Sequence, residues 1–509
     1  MLQNGNNNLK KILFFSFLLL YAGIMLWLCK ELNIWMDEAY TLDTTSAKYS
    51  LPLVIKQSYY FESQPPVYFI LLSLWRKLND GIFFARLFSL IHIGLSAWFF
   101  YRLVNLICGT KSSRWVLVLF LLNPFVVWAG LEIRLYAFLL LLSILLIYFF
   151  FRYYISEKKK YLYLFLLIAA IGLYTQYFFA FLIAALVFAS LLFNGWKMFF
   201  KFSLYLIPVV LIFLPNVMFM ASQLGMVQSL KLQLSTMQRI DMVLHSPQNL
   251  ILAMGKLYFA REIRRAILIV FILLFALSYL QGLKQNRFIK TFYFRSINLI
   301  ILTSLTVIIM LAVFMAVTKI DYEDRYFIIA LPLFILVFTL IDQHAFVFSR
   351  FIYILLTFFF SWLFFYIYYY SNPVKQYDYK GVAKYISLQE RQEEPILFYH
   401  STISLPFGYY YKGSNSIIPL PHQVHFDTTY MNPIKDTFEL KQSIDNIKSV
   451  SGSYLLISDL NEAMYNGNEN IKMVNDYITN HYSITMDTLF FGLSMKHPLR
   501  VRRLEKNTN

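Results

Sequence analysis

The chain has 509 residues, of which 59% are hydrophobic, 19% aromatic and 14% charged, and its mean hydropathy is +0.55; soluble proteins carry roughly 25% charged residues. This excludes a soluble globular protein and predicts a mainly α, polytopic membrane protein. The formal net charge of +17 does not point to nucleic acid, because the Lys and Arg residues sit in short clusters between apolar runs, where they orient a membrane protein and attract anionic lipid.

The first apolar run, Ile12 to Leu28, follows Lys10 and Lys11 and lacks a small-residue cleavage site, so it reads as a retained anchor. On a ruler of about 20 apolar residues per span, about eleven spans are predicted. They cover 12–28, 82–104, 115–130, 136–154, 161–176, 178–193, 202–220, 266–283, 296–317, 327–341 and 351–370. Alternate connections are basic: Lys111 and Arg114, then Lys158 to Lys160, then Lys197 and Lys201, then Lys284, Arg287, Lys290 and Arg295, then Arg350. By the positive-inside rule these connections and the N-terminus face the cytoplasm, and everything after Tyr370 lies outside it. The short, Asn-rich N-terminus and the absence of eukaryote-like luminal features point to a bacterial inner membrane.

Two outer segments are long: Cys29 to Gly81, and Ala221 to Arg265, which carries Lys231, Arg239, Lys256, Arg261, Arg264 and Arg265. In the first, "PPVYFILLSLWRKL" from Pro65 is too short to span and predicts a helix lying in the membrane interface, opened by its two prolines. Tyrosine-rich stretches such as "FYIYYY" at Phe365 to Tyr370 fit an interfacial aromatic belt. From about Asn372 the composition turns polar, with helix-like "GVAKYISLQE" and strand-like "PILFYH", "SYLLISDL" and "SITMDTLFF". The predicted organisation is therefore a transmembrane domain over 1–371, with its first outer loop at 29–81, and a soluble α/β domain over 372–509.

Polar groups gather on the predicted outer side. Asp37 and Glu38 in "IWMDEAYTLD" follow the first span, and Glu62 in "FESQPPVYF" precedes the interfacial helix. Ionisable groups this close to hydrocarbon tend to mark a site. A carboxylate near a helix start also gains from the helix dipole, which is the structural alternative for each of the three. Together they offer a base for an attacking hydroxyl and partners to hold it. Arg134 in "GLEIRLYAF" and Arg325 in "KIDYEDRYF" stand at the mouths of two spans, beside Tyr136 and Tyr326. A guanidinium fork there suits a phosphate; snorkelling for Arg134 and a local ion pair for Arg325 are the alternatives.

Other signals are weaker. His92 lies within a span and reads as a core histidine, and His422, His425 and Asp427 lack the further ligands of a metal site. Asp-x-Asp, the P-loop and Gly-x-Gly-x-x-Gly are all absent, so neither a nucleotide, a cofactor nor a metal is expected. A disulfide between Cys29 and Cys108 would have to cross the bilayer.

The Asp-Glu pair after the first span, the acidic residue two positions before Pro-Pro with its aromatic helix, the Arg-x-Tyr opening the fourth span and the late Arg-Tyr resemble the GT-C membrane glycosyltransferases. The nearest subgroup is the protein O-mannosyltransferase and aminoarabinose transferase type, and the resemblance covers about residues 10 to 370 and the outer domain. Two positions depart from the pattern, which often has His where this chain has Gln64 and Asp where it has Glu62. The resemblance implies a sugar donor on a polyprenyl phosphate and an acceptor outside the cytoplasm: a glycan, lipopolysaccharide or protein hydroxyl. It makes Asp37 the base, has Glu38 and Glu62 orient acceptor or donor, and has Arg134 and Arg325, with Tyr136 and Tyr326, bind the departing phosphate. One base without a covalent carboxylate implies inversion at the sugar carbon. Two other readings stay open: a ligase moving a whole glycan from a polyprenyl diphosphate, which the basic loop 221–265 would favour, and a lipid or polysaccharide transporter.

Overall fold

The computed structural model describes residues 2–108, 110–229, 235–238, 292–318, 324–336, 377–420, 436–445, 452–459, 468–492 and 498–507, with a few isolated positions between them. In chain order the helices are α1 (Leu2–Glu31), α2 (Met36–Thr44), α3 (Leu51–Tyr60), α4 (Val67–Arg76), α5 (Ile82–Cys108), α6 (Thr110–Leu122), α7 (Pro124–Leu131), α8 (Tyr136–Ser156), α9 (Lys159–Leu173), α10 (Phe179–Ser229) and α11 (Phe292–Thr318). A 3-10 turn over Asp324–Ile329 follows. The chain then enters an α/β region with α12 (Tyr379–Gln389), β1 (Ile396–Tyr399), α13 (Ser404–Gly408), β2 (Ile417–Pro419), α14 (Thr437–Asp445), β3 (Ser453–Asp459), α15 (Asn468–His481), β4 (Tyr482–Phe490) and β5 (Leu499–Lys506).

Contacts divide the chain into two compact units. The helical unit takes Met1–Cys29, Ala47–Tyr59 and Ser63–Ile367; the α/β unit takes Lys30–Ser46, Tyr60–Glu62 and Tyr368–Asn509.

Among the described residues, five helical stretches are long and apolar enough to cross a membrane: Lys11–Glu31, Ile82–Ile107, Tyr136–Ser156, Gly195–Ala221 and Asn298–Thr318. The spans expected at 266–283 and 351–370 lie outside the described residues, apart from isolated positions, and that at 327–341 is described only to 336. The run expected as one span at 115–130 is instead two helices. Asn123 interrupts it, its side chain accepting from the Phe125 amide at 2.9 Å, and Pro124 opens α7. Apolarity hid this break, because hydropathy reads through a single Asn-Pro. The runs at 178–193 and 202–220 are two helical segments within α10, parted at Gly195, whose backbone leaves the helical region with a φ of 70° that only glycine adopts freely. Of the five long apolar stretches α8 is the most enclosed, and it is apolar around most of its surface, as a helix largely surrounded by others must be. Phe150 on it stacks on Phe202 with ring centres 5.1 Å apart.

In the α/β unit a five-stranded sheet has the order β2-β1-β3-β5-β4. β1 pairs in parallel with β2 and β3, while β5 runs antiparallel between β3 and β4. β1 and β3 are buried throughout, which is why they read as unbroken apolar runs. Alternate side chains build two cores. Ile396, Phe398, Leu455 and Ile457 pack with Val382 and Ile386 of α12 on one face. Leu397, Leu456 and Leu504 pack with Leu440 of α14 and Val474 and Ile478 of α15 on the other. The result is an α/β/α sandwich. A buried ion pair ties its first strand to its last: Arg503 Nε donates to Glu394 Oε1 at 2.7 Å, and Ser453 Oγ donates to the same oxygen at 2.8 Å.

Candidate active site

The three candidate carboxylates belong to the α/β unit and cluster on α2. Asp37 and Glu38 open this nine-residue helix, where the dipole favours negative charge. Glu38 is fully buried and its Oε2 accepts from the Trp35 amide at 3.3 Å, capping the helix start from within. Asp37 is half-buried. Glu62 is brought to the same helix from the following segment, its Oε1 accepting from Thr41 Oγ1 at 2.8 Å. Thr41 lies one turn beyond Asp37 and Glu38, so the three acids share a neighbourhood. Phe61 packs edge-on against Tyr40, with ring centres 4.9 Å apart, and fixes the approach of Glu62.

The cationic residues belong to the helical unit. Arg134 is buried in the break between α7 and α8, two residues before Tyr136 begins α8. Arg325 lies in the 3-10 turn, its guanidinium carbon 5.9 Å from the centre of the Tyr136 ring. Tyr136 also packs on Trp128 at 4.9 Å, and Tyr326 on Phe178 at 4.9 Å. Arg134, Arg325 and Tyr136 thus meet at the start of a long helix, whose amide end favours an anion, while Tyr326 packs beside the start of α10. Polar groups of α5 are also buried in this unit: Ser89 Oγ donates to the Glu132 carbonyl at 2.6 Å, and Arg86 Nη1 to the Cys29 carbonyl at 3.1 Å. Within the same unit, an apolar cavity of about 760 Å³ is lined by α9, α10 and α11, including Leu173, Ile183, Val187, Phe199 and Ile309.

The sequence reading missed the residues that seat the carboxylate helix. Asn33 is buried; its Nδ2 donates to Asp378 Oδ1 at 3.2 Å and its Oδ1 accepts from the Lys380 amide at 3.1 Å. The Ile34 amide donates to Tyr410 Oη at 2.7 Å. A lone Asn and a tyrosine in a tyrosine-rich chain carry no pattern that a sequence search could single out. At the end of β1, burial pushes the Tyr399 hydroxyl up to about 12 and the His400 imidazole down to about 4, so His400 is neutral at pH 7. His92 is a packed core residue, with Nδ1 2.6 Å from the Phe88 carbonyl and its ring against Phe138. His422, His425 and Asp427 lie outside the described residues, as does most of the basic loop 221–265. Among the described residues, no group of three His, Cys, Asp or Glu side chains is arranged to hold a metal.

Comparison with known proteins places these features. Residues 63–219 match the family described as dolichyl-phosphate-mannose-protein mannosyltransferase. No curated protein matches the chain. Among solved structures, ArnT from Cupriavidus metallidurans is similar along nearly its whole length, at 10% identity and covering 96% of this chain and 98% of that one. The TM-score is 0.56 for the apo state of that protein and 0.51 for its undecaprenyl-phosphate-bound state. The family match falls on the segment that holds Arg134 and Tyr136, and the chain shares with ArnT a fold of apolar helices followed by a small C-terminal sheet domain.

Proposed function

We propose that the protein moves one sugar from a polyprenyl-phosphate donor to an acceptor outside the cytoplasm, with inversion at the sugar carbon. The observation that carries this reading is the convergence of Arg134 and Arg325 on Tyr136 at the start of α8, a built receptor for a phosphate that must leave. The structure with undecaprenyl phosphate bound to ArnT supplies the lipid class by analogy. The acceptor oxygen attacks the anomeric carbon and the bond from that carbon to the phosphate oxygen breaks. The acceptor's proton passes to the Asp37 carboxylate, and the electron pair leaves on the polyprenyl phosphate, where the two guanidinium groups offset the charge. Glu38 and Glu62 hold the base and its partner in place. The apolar cavity among α9, α10 and α11 suits part of a prenyl chain. Under this reading the protein sits in a bacterial inner membrane, with a cytoplasmic N-terminus and the α/β domain on the periplasmic side.

The test is a transfer assay in liposomes with radiolabelled polyprenyl-phosphate sugars and a membrane extract as the acceptor pool. Label entering the extract with wild type but not with Asp37→Asn is the expected result, and the labelled fraction identifies the acceptor. Folded wild-type protein that moves no label from any monophosphate donor would sink this reading in favour of a diphosphate-linked glycan donor.

A further inference from the structure

In sheets with parallel strands, ligands bind at the carboxyl ends of the strands where the strand order reverses. In the α/β unit that point lies between β1 and β3, since the chain moves from β1 outward to β2 and then back past β1 to β3. This end of the sheet is filled by the chain itself. Tyr377 Oη donates to Asp459 Oδ2, on the last residue of β3, at 2.7 Å. The neighbouring Asp378 receives Asn33, and the segment after β1 packs Ile403 and Phe407 with Met36 and Tyr40 of α2. The place where a related sheet would hold a small molecule holds the helix that carries Asp37 and Glu38.

We propose that this domain is a working part of the transferase, holding the Asp37 helix at its strand ends, with Asn33 and Tyr410 as the positioning residues. The inference rests on Asp37 being the base. Nine residues are too few for a helix to persist alone, so α2 takes its place from tertiary contacts. Two polar side chains among them make specific bonds. Asn33 uses both a donor and its acceptor, toward Asp378 Oδ1 and the Lys380 amide, while Asp378 also caps α12 by accepting from the Gly381 amide at 2.8 Å. Tyr410 accepts from the backbone two residues before α2. The surface pair of Lys380 with Glu31, at 3.6 Å, adds little. Losing these anchors lets the base drift, and a displacement of about 1 Å costs on the order of a hundredfold in rate.

The experiment measures kcat and the donor KM for full-length Asn33→Ala, Tyr410→Phe, Asn33→Asp and the exchange Asn33→Asp with Asp378→Asn, together with thermal midpoints. Asn33→Ala and Asn33→Asp should lose roughly 10- to 100-fold in kcat with donor KM within about twofold of wild type. Tyr410→Phe should lose less. The exchange restores a donor facing an acceptor, and the carboxamide it places before α12 can still cap that helix, so it should recover most of kcat. Wild-type kcat in Asn33→Ala, an exchange no better than Asn33→Asp, or losses that follow the unfolded fraction would overturn the proposal. Asp37→Asn, run in parallel, separates the two ideas: normal turnover there removes the base itself, whereas its loss beside an intact Asn33→Ala removes only the positioning role.

Discussion

The carboxylate helix and the arginine cluster are built by opposite means. Arg134 and Tyr136 owe their places to α8, a 21-residue apolar helix that is mostly buried, and to a chain break only residues away. Asp37 and Glu38 ride on a nine-residue helix seated by Asn33 and Tyr410 contacts that span 345 and 376 positions of sequence. Arg134 and Tyr136 are held by neighbouring sequence, whereas the carboxylate helix is held within the α/β unit by residues far along the chain. Damage to the helical unit should therefore show in donor binding, and damage to the α/β unit in the chemical step.

The sharpest break in that comparison is Asp37→Asn, which should lower kcat by about 10² to 10⁴ with the donor still bound, as a missing general base does. Measured by single turnover on preloaded donor, an unchanged rate would end the assignment. Next comes Glu394→Gln. Breaking its buried pair with Arg503 should destabilise the α/β unit by about 3–5 kcal/mol, seen as faster hydrogen exchange in β1 and β3, and transfer should fall while donor binding persists. Loss of donor binding instead would erase the division of labour. Arg134→Ala should then weaken donor binding by roughly 10- to 100-fold, read by titration of a polyprenyl phosphate, with little change in acceptor KM. Equal loss on both substrates would mean a structural arginine. The mildest is Thr41→Val, which removes the hydroxyl bonded to Glu62 and should cost a few-fold in kcat, or about 1 kcal/mol.

Acid should act on the α/β unit through two groups. Burial raises the Glu394 carboxyl, but hydrogen bonds from Arg503, the Arg391 amide and Ser453 together outweigh it and hold it below its ordinary 4.5. A depressed acid lends stability that is complete above the unfolded value and lost as pH falls through the folded one, here below 4.5. His400 is held neutral down to about 4 against an ordinary 6.5, so protonation of the unfolded chain erodes stability from pH 6.5 toward 4. Exchange in β1 and β3 should accelerate over that whole range, and Glu394→Gln should flatten only its lowest part.

Much of the helical layout was legible because membrane spans announce themselves by length and apolarity alone. The helix at Val67–Arg76 and the strands β1, β3 and β4 were legible too, through Pro-Pro and through runs of β-branched and aromatic residues. Asn123 shows where hydropathy fails, because one residue splits an apolar run, whereas the break at Gly195 falls between two runs that hydropathy kept apart. β2, three residues long, and β5, with three arginines among its eight residues, escaped because neither resembles a strand in composition. The acids and arginines were visible as charges near apolar runs. What seats them was not, because a bond between Asn33 and Asp378 leaves no local trace.

The place of β5 gives the molecule a schedule. Leu499 and Val501 belong to the same packed cluster as Met36 and Tyr40, and β5 lies inside the sheet rather than at its edge. A ribosome adding about 5–20 residues per second emits Ile34 tens of seconds before Tyr410, and later still the strand that closes the sheet. The acidic segment therefore waits, synthesised but without the contacts that seat it as a helix, through most of synthesis, and a polypeptide cut short before residue 499 would present its arginines without a settled acidic helix.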